Sequence, residues 1–302
     1  MRKQLCDALV ARAAKPDLVF LTGDLGFMAL EPLQAALGPR FINAGVAEQN
    51  MVSVAAGLAR QGLEVWVYSI APFLYARPFE QLRNDVAFHG LPVKLIGNGG
   101  GYGYGVMGPT HHAIEDYGVL LTLPRMRAYV PVFDEDIAAV IDSAGAATQP
   151  AYIRLGRGEP PRDYAAPAYA PWRQLTSGDG PIVIAVGPLA GTYIQAFQQL
   201  PASSRPNLWA VAQLPLEHNH MPPQVLSQIG ASDPIHVAEE HVRRGSFAAE
   251  LAMLLLERGA VHTRLVHHCA RAHHFERYGS QAFLRKCSAL DADSLLAALG
   301  AD

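Results

Sequence analysis

Charge is scarce in this sequence: Lys, Arg, Asp and Glu make up only 17% of 302 residues and leave a net charge of −3. So few positive residues supply neither a basic face for nucleic acid nor a cationic patch for an anionic membrane. Cysteine is scarcer still. Cys6, Cys269 and Cys287 are odd in number and far apart, with no C-x-x-C pair. That pattern argues against a disulfide framework or a zinc site and fits a reducing, cytoplasmic setting. No apolar run approaches the ~18 uninterrupted residues of a membrane span. At the N-terminus Arg2, Lys3, Asp7 and Arg12 interrupt the apolar positions, leaving an amphipathic helix in place of a signal-peptide core. Hydrophobic residues, by contrast, are plentiful at 50%. A chain of this length can bury a sizeable core and still offer surface to another subunit, and two domains of about 150 residues each are expected.

Short β-rich runs at 18–21, 40–42, 64–68, 93–96, 127–130 and 151–153 alternate with helical patterns at 47–60, 79–88 and 134–147, the last opening on Asp134, an aspartate suited to an N-cap. Such alternation predicts a parallel sheet covered by helices. Around 156–180 the text turns rich in Pro, Gly, Ala and Tyr and ends in Ser177-Gly178-Asp179-Gly180, the signature of a linker. Strand-like runs resume at 181–186, 208–211, 235–237 and 263–266, with a helix at 246–257. The fold class is therefore α/β in two domains, each a mainly parallel sheet flanked by helices, with boundaries at 1–165, 166–180 for the linker and 181–302.

The segment 40–60 reads strand, glycine turn, helix, and sets Glu48 near a helix start, where a carboxylate is favoured. Read by itself, Glu48 is a capping residue far more readily than a catalytic one. Phe73 and Phe79 flank Arg77, and on residue type alone they are core aromatics. His111 follows a Gly-Pro turn with His112 beside it, and Arg77, Arg154 and Arg157 carry guanidinium forks that match carboxylate or phosphate. The glycine tract Gly99-Gly100-Gly101-Tyr102-Gly103-Tyr104-Gly105 invites a phosphate-cradle reading, but its spacing fits neither a Walker loop nor a Rossmann fingerprint. Gly178-Asp179-Gly180, with Asn207 further on, imitates a diphosphate-and-metal motif, yet it precedes a strand where the motif should follow one, so it reads as a turn. Seven histidines between 236 and 274, among them His267-His268 and His273-His274, show no zinc-protease arrangement. Neighbouring residues on a strand face opposite ways, so solvent or interface histidine is the better reading.

The run Phe41-Ile42-Asn43-Ala44-Gly45-Val46-Ala47-Glu48-Gln49-Asn50, followed by Ala55-Ala56-Gly57-Leu58-Ala59, resembles the pyrimidine-binding domain of the transketolase family. Residues 72–85, Gly108-Pro109-Thr110-His111-His112 and Ala151-Tyr152-Ile153-Arg154-Leu155-Gly156-Arg157-Gly158 are similar to the blocks that follow in that family, in order and spacing over roughly 1–160. Glu239-Glu240-His241 with its following helix looks like the family's C-terminal domain.

The resemblance implies that Glu48 hydrogen-bonds the aminopyrimidine of thiamine diphosphate and favours the imino tautomer that takes the thiazolium proton, a task suited to a carboxylate in a dry pocket. It implies that Val46, Phe73 and Phe79 line the pyrimidine pocket, that His111 faces substrate, with His112 beside it, and that Arg77, Arg154 and Arg157 bind the anionic end of a sugar. It further implies a separate N-terminal subunit holding the diphosphate through Mg2+ or Ca2+, since no diphosphate-binding domain is legible here, and an α2β2 assembly. The expected reaction is transfer of a two-carbon ketol unit from a ketose to an aldehyde. Two departures bear on the substrate: Met107 stands where relatives have an acid that reads a sugar hydroxyl, and the glycine tract stands where transketolases have another histidine. A thioether cannot replace a carboxylate towards a hydroxyl, so the ordinary pentose phosphate pair is not expected. Alternatives are a decarboxylating synthase of the deoxyxylulose-phosphate type, the beta subunit of a two-oxoacid dehydrogenase, or a non-catalytic scaffold, which the presence of Glu48 and His111 argues against.

Overall fold

The computed structural model describes residues 1–158, 160–216, 221–232, 234–259 and 264–300. Its strands are β1 (Leu18–Thr22), β2 (Phe41–Asn43), β3 (Glu64–Ile70), β4 (Lys94–Asn98), β5 (Arg127–Tyr129), β6 (Ala151–Leu155), β7 (Trp172–Thr176), β8 (Ile182–Val186), β9 (Asn207–Val211), β10 (Gln213–Leu214), β11 (Ile235–Glu239) and β12 (Leu265–Cys269). Central strands such as β1, β4 and β6 are buried along their whole length, as strands covered by helices on both faces must be. In β3 the period of two divides the side chains: Val65 and Val67 join one cluster of buried side chains, Trp66 and Tyr68 the other.

The first sheet has the order β10-β5-β6-β4-β3-β1-β2 and the second β12-β11-β8-β9-β7. All pairs are parallel except β10 with β5 and β7 with β9. The predicted α/β class and its two mainly parallel sheets are therefore present. The expected linker 166–180 needs correction, because it contains β7, whose Trp172 and Leu175 are buried. Arg173 on that strand pairs with Asp136 at 2.5 Å, both buried, so the segment is fastened to the first domain instead of being slack. β10 carries the second half of the chain back onto the edge of the first sheet, and the largest hydrophobic cluster runs through both sheets.

The helix expected at 47–60 is Glu48–Arg60. The one expected at 79–88 is a short α piece, Phe79–Gln81, continued as a π-helix over Leu82–Ala87. At 134–147 a 3-10 turn, Asp134–Asp136, precedes the helix Ile137–Ala146. There Asp136, not Asp134, collects backbone N–H groups, from Val132 and Phe133. The helix expected at 246–257 is Phe247–Glu257, capped by the Ser246 hydroxyl. In the expected 263–266 strand Thr263 lies outside the described residues, and β12 begins at Leu265. Among the described residues no helix is long and apolar enough to cross a membrane.

Candidate active site

Loops leaving the carboxyl ends of parallel strands are where open α/β sheets place ligand sites. Here the loops after β2, β3, β4 and β6 carry Glu48, Phe73 with Arg77, Tyr104 with His111, and Arg157. The first of these is built by Asn43. Its Oδ1 accepts the Gly45 N–H at 2.9 Å and its Nδ2 donates to Asp24 Oδ1 at 3.0 Å. Gly45 takes φ +71°, which reverses the chain at little cost only for glycine. Glu48 thereby becomes the first residue of its helix, 6% exposed, beside amides that favour a carboxylate.

Arg77 Nη1 donates to Glu48 Oε1 at 3.0 Å, and its guanidinium lies 3.9 Å over the Phe73 ring. Oε2 of Glu48 makes no hydrogen bond among the described residues. An open concavity of about 580 Å³ meets this pair, lined by Val46, Ala47, Glu48, Gln49, Asn50 and Arg77, with Val46 standing 78% exposed at its rim. The His111 ring meets Phe73 edge-on at 5.1 Å and Tyr104 at 6.3 Å. Burial, and then the nearby Arg77 charge, hold the His111 pKa below its ordinary value, so the ring is neutral at pH 7. On the far side of Tyr104 a second concavity of about 420 Å³ gathers Arg2, Asn98, Tyr104, Asp134, Arg157 and Gln281. Its lining holds two guanidinium groups, and its carboxylate, Asp134, is paired with the Met1 amine at 2.8 Å, a balance that suits an anion.

Three of the expected site residues lie elsewhere. Phe79 packs against the large hydrophobic cluster, as an ordinary core aromatic does. Arg154 is buried: it pairs with Asp116 Oδ2 at 2.8 Å and donates to the carbonyls of Ala113 and Glu240, each at 2.8 Å. Both carbonyl bonds come from Nη2, and the one to Glu240 ties the two domains together; a guanidinium so deeply buried is out of reach of a substrate in either concavity. His112 is 1% exposed and turns away from His111 into the seam between the domains, where it stacks on His273 at 5.7 Å and meets Tyr102 edge-on at 5.1 Å. Neither of its ring nitrogens has a hydrogen-bond partner.

Burial, reinforced by His273 and His274, lowers the His112 pKa to about 4. A histidine depressed in the folded state stabilises fully above its ordinary value near 6.5 and loses that contribution as pH falls to about 4. Urea denaturation between pH 7 and pH 4 should therefore show an acid loss of stability that is smaller in His112→Phe. His268, lowered to about 4 by burial and by His236, adds a loss of the same sign in both proteins.

The glycine tract is not a phosphate cradle. The N–H groups of Gly99 and Gly100 donate to the Leu155 carbonyl, that of Gly101 to Ala113, and those of Gly103 and Gly105 to Gly100 and Tyr102. Gly178-Asp179-Gly180 is a turn between β7 and β8, tied by Asn207 Nδ2 to the carbonyls of Gly178 and Gly180. His267 and His268 do face opposite ways, one to Glu239 at 2.8 Å and the other to His236 at 3.0 Å. His273 and His274 lie in the domain seam, and His262 lies outside the described residues. Among the described residues no group of three or more His, Cys, Asp or Glu side chains could hold a metal ion.

Sequence reasoning missed Arg2, Asn98, Tyr104 and Gln281. Only Tyr104 carried a local signal, as one of two aromatic residues set among glycines.

Known proteins resemble this chain in sequence and in fold. The family described as the transketolase pyrimidine-binding domain matches residues 3–162. One of the subunits of an apulose-4-phosphate transketolase from Phocaeicola vulgatus is 35% identical over 54% of this chain and 53% of its own. A 1-deoxy-D-xylulose-5-phosphate synthase 2 of Geobacter sulfurreducens is 30% identical over 85% of this chain and 41% of its own. The chain spans about half the length, or less, of the first curated relatives it matches. A solved structure titled split gene transketolase, inactive beta4 tetramer, superposes with TM-score 0.82 at 27% identity over 99% of this chain and 96% of that one. Since the matched domain spans more than half of its length, the chain belongs to the transketolase family, which implies dependence on thiamine diphosphate.

Proposed function

We propose that this chain is the pyrimidine-domain subunit of a two-chain transketolase that moves a two-carbon ketol unit from a ketose or ketose phosphate to an aldehyde other than the ordinary pentose phosphate pair. The observation that carries the reading is Glu48: a buried carboxylate, one oxygen uncommitted, at the mouth of an open concavity. The pyrimidine end of thiamine diphosphate fits there, with Glu48 as hydrogen-bond partner and Val46 as an apolar wall, while Phe73 lies behind the Arg77 guanidinium. When bound, the cofactor supplies the stabilisation of negative charge that ketol transfer requires. Glu48 holds and returns a proton at the pyrimidine ring. Neutral His111 takes or gives a proton at the substrate, while Arg2 and Arg157 hold its anionic end and Arg77 screens the mouth.

The diphosphate and its Mg2+ or Ca2+ are assigned to a separate chain carrying the diphosphate-binding domain, in an α2β2 complex in the cytoplasm. The half-length match and the split-gene neighbour support that division. So do Phe27, Met28, Val46, Val106 and Met107, which stand more than half exposed. Exposed apolar side chains in such number mark a contact surface.

The test is to co-express the chain with a chain bearing that domain, purify the pair and supply thiamine diphosphate, Mg2+ and hydroxypyruvate with a panel of aldehydes. Stable co-purification and a ketose product are expected, with neither chain active alone. Turnover of pyruvate in place of hydroxypyruvate would favour the decarboxylating synthase, and absence of both complex and turnover would end the reading.

A further inference from the structure

Gly99, at the carboxyl end of β4, has φ +78°, and a Cβ built there would fall 2.2 Å from Cδ2 and 2.3 Å from Cε2 of Tyr104. The Tyr104 ring therefore fills the space that a side chain at position 99 would need. Its hydroxyl is held from one side: Asn98 Nδ2, on a residue only 7% exposed, donates to Tyr104 Oη at 2.5 Å. With an amide donating into the phenolic oxygen, the phenolic proton is left to donate elsewhere. The ring itself stands between the two halves of the site, 6.3 Å from the His111 ring and on the wall of the concavity that holds Arg2 and Arg157.

We infer that Tyr104 is a specificity-determining hydrogen-bond donor to the substrate, reading an acceptor oxygen on the carbons between the reacting carbonyl and the anionic end. The inference rests on the ketol-transfer reading and narrows its substrate class. A carboxylate at position 107 would accept from a sugar hydroxyl; Met107 cannot, and with the Thr110 hydroxyl engaged on His111 Nδ1 at 3.0 Å, the Tyr104 hydroxyl is the group near that ring with a proton to give. The reading becomes one of acceptance by the substrate, so the preferred substrate presents an acceptor oxygen at that point, whether carbonyl, ether, acidic or a hydroxyl taking the bond on a lone pair. Asn98 is a positioning residue, since it acts by fixing which way the phenol points.

The experiment uses the two-chain complex with hydroxypyruvate as donor and the aldehyde panel as acceptors, comparing wild type, Tyr104→Phe, Asn98→Asp and the double variant. Phenylalanine keeps the ring over Gly99 and removes only the donor, so a purely space-filling role predicts no change. The donor role predicts a fall in kcat/KM of about 10–100-fold for the best acceptor, the range set by one site hydrogen bond. Acceptors lacking an oxygen at that point should lose much less. Asn98→Asp offers a carboxylate that captures the phenolic proton, and should give a similar loss with none added in the double variant. Thiamine diphosphate affinity, measured by equilibrium dialysis, should stay the same in all four proteins. An active wild type with an unaltered Tyr104→Phe variant would overturn the role of Tyr104 alone, whereas an inactive wild-type complex would overturn the ketol-transfer reading and this inference with it.

Discussion

Glu48→Gln should reduce ketol transfer by the two-chain complex by about 10³-fold, within the range in which a positioned acid or base contributes. Glutamine keeps the length and hydrogen-bonding shape of the side chain but carries no negative charge and cannot hold a proton on and off. Stability should hardly move. The carboxylate forms its ion pair with Arg77, whose side chain is 45% exposed. A pair open to solvent on one side contributes about 1 kcal/mol at most, and the helix-start position adds a similar small amount. A folded but inactive variant is therefore the expected product, distinguishable by an unchanged urea midpoint. Equilibrium dialysis should show weaker thiamine diphosphate retention, because one contact to the pyrimidine ring changes character. Activity within about threefold of wild type would instead favour a scaffold role for the chain. Arg77 sharpens the expectation further: its Nη1 can still donate to the amide oxygen of the replacement, so the loss reads the charge and the proton of Glu48 and not its shape.

The fold was largely legible because its signal is repeated. Runs such as Leu18 to Thr22 and Ile182 to Val186 are buried on both faces and so read as unbroken apolar text. β7 was hidden for the opposite reason. It is an antiparallel edge strand in a stretch of Pro and Gly, and its Arg173 looks like surface until Asp136, far away in sequence, is seen beside it. At the site, Glu48 and His111 were readable from local wording, since each sits in a glycine turn that fixes its direction. His112 was not, because adjacent residues in a turn separate towards different surroundings that no local pattern records. Arg2 reached the second concavity only by topology: its helix packs on the helices Glu31–Leu37 and Ile137–Ala146, and Met1 at its start accepts the Gly156 N–H just beyond β6, far along the chain. Asn98 and Tyr104 were obscured by the glycines between them, which drew attention to backbone amides that the fold has already used.

Arg154 and Arg157 stand three positions apart with similar credentials in the sequence, and they should fail in opposite ways. Arg154→Met removes the cation from Asp116, which is fully buried and would keep only the Tyr152 hydroxyl at 2.8 Å. It also strands the Glu240 carbonyl, while that of Ala113 keeps the Gly101 N–H. Breaking one side of a buried pair costs about 3–5 kcal/mol, enough to lower the urea midpoint strongly and to loosen the seam between the two domains. Adding Asp116→Asn should recover part of that loss, because the stranded charge disappears; residues in direct contact do not add independently. Arg157→Met, on an exposed residue lining the concavity, should change stability by no more than about 0.5 kcal/mol. Its effect should fall on KM for phosphorylated or otherwise anionic substrates, leaving uncharged aldehydes nearly untouched. An Arg154→Met protein as stable as wild type would deny the seam its cation, and an Arg157→Met complex with unaltered KM for anionic acceptors would move the anion site to Arg2 or Arg77.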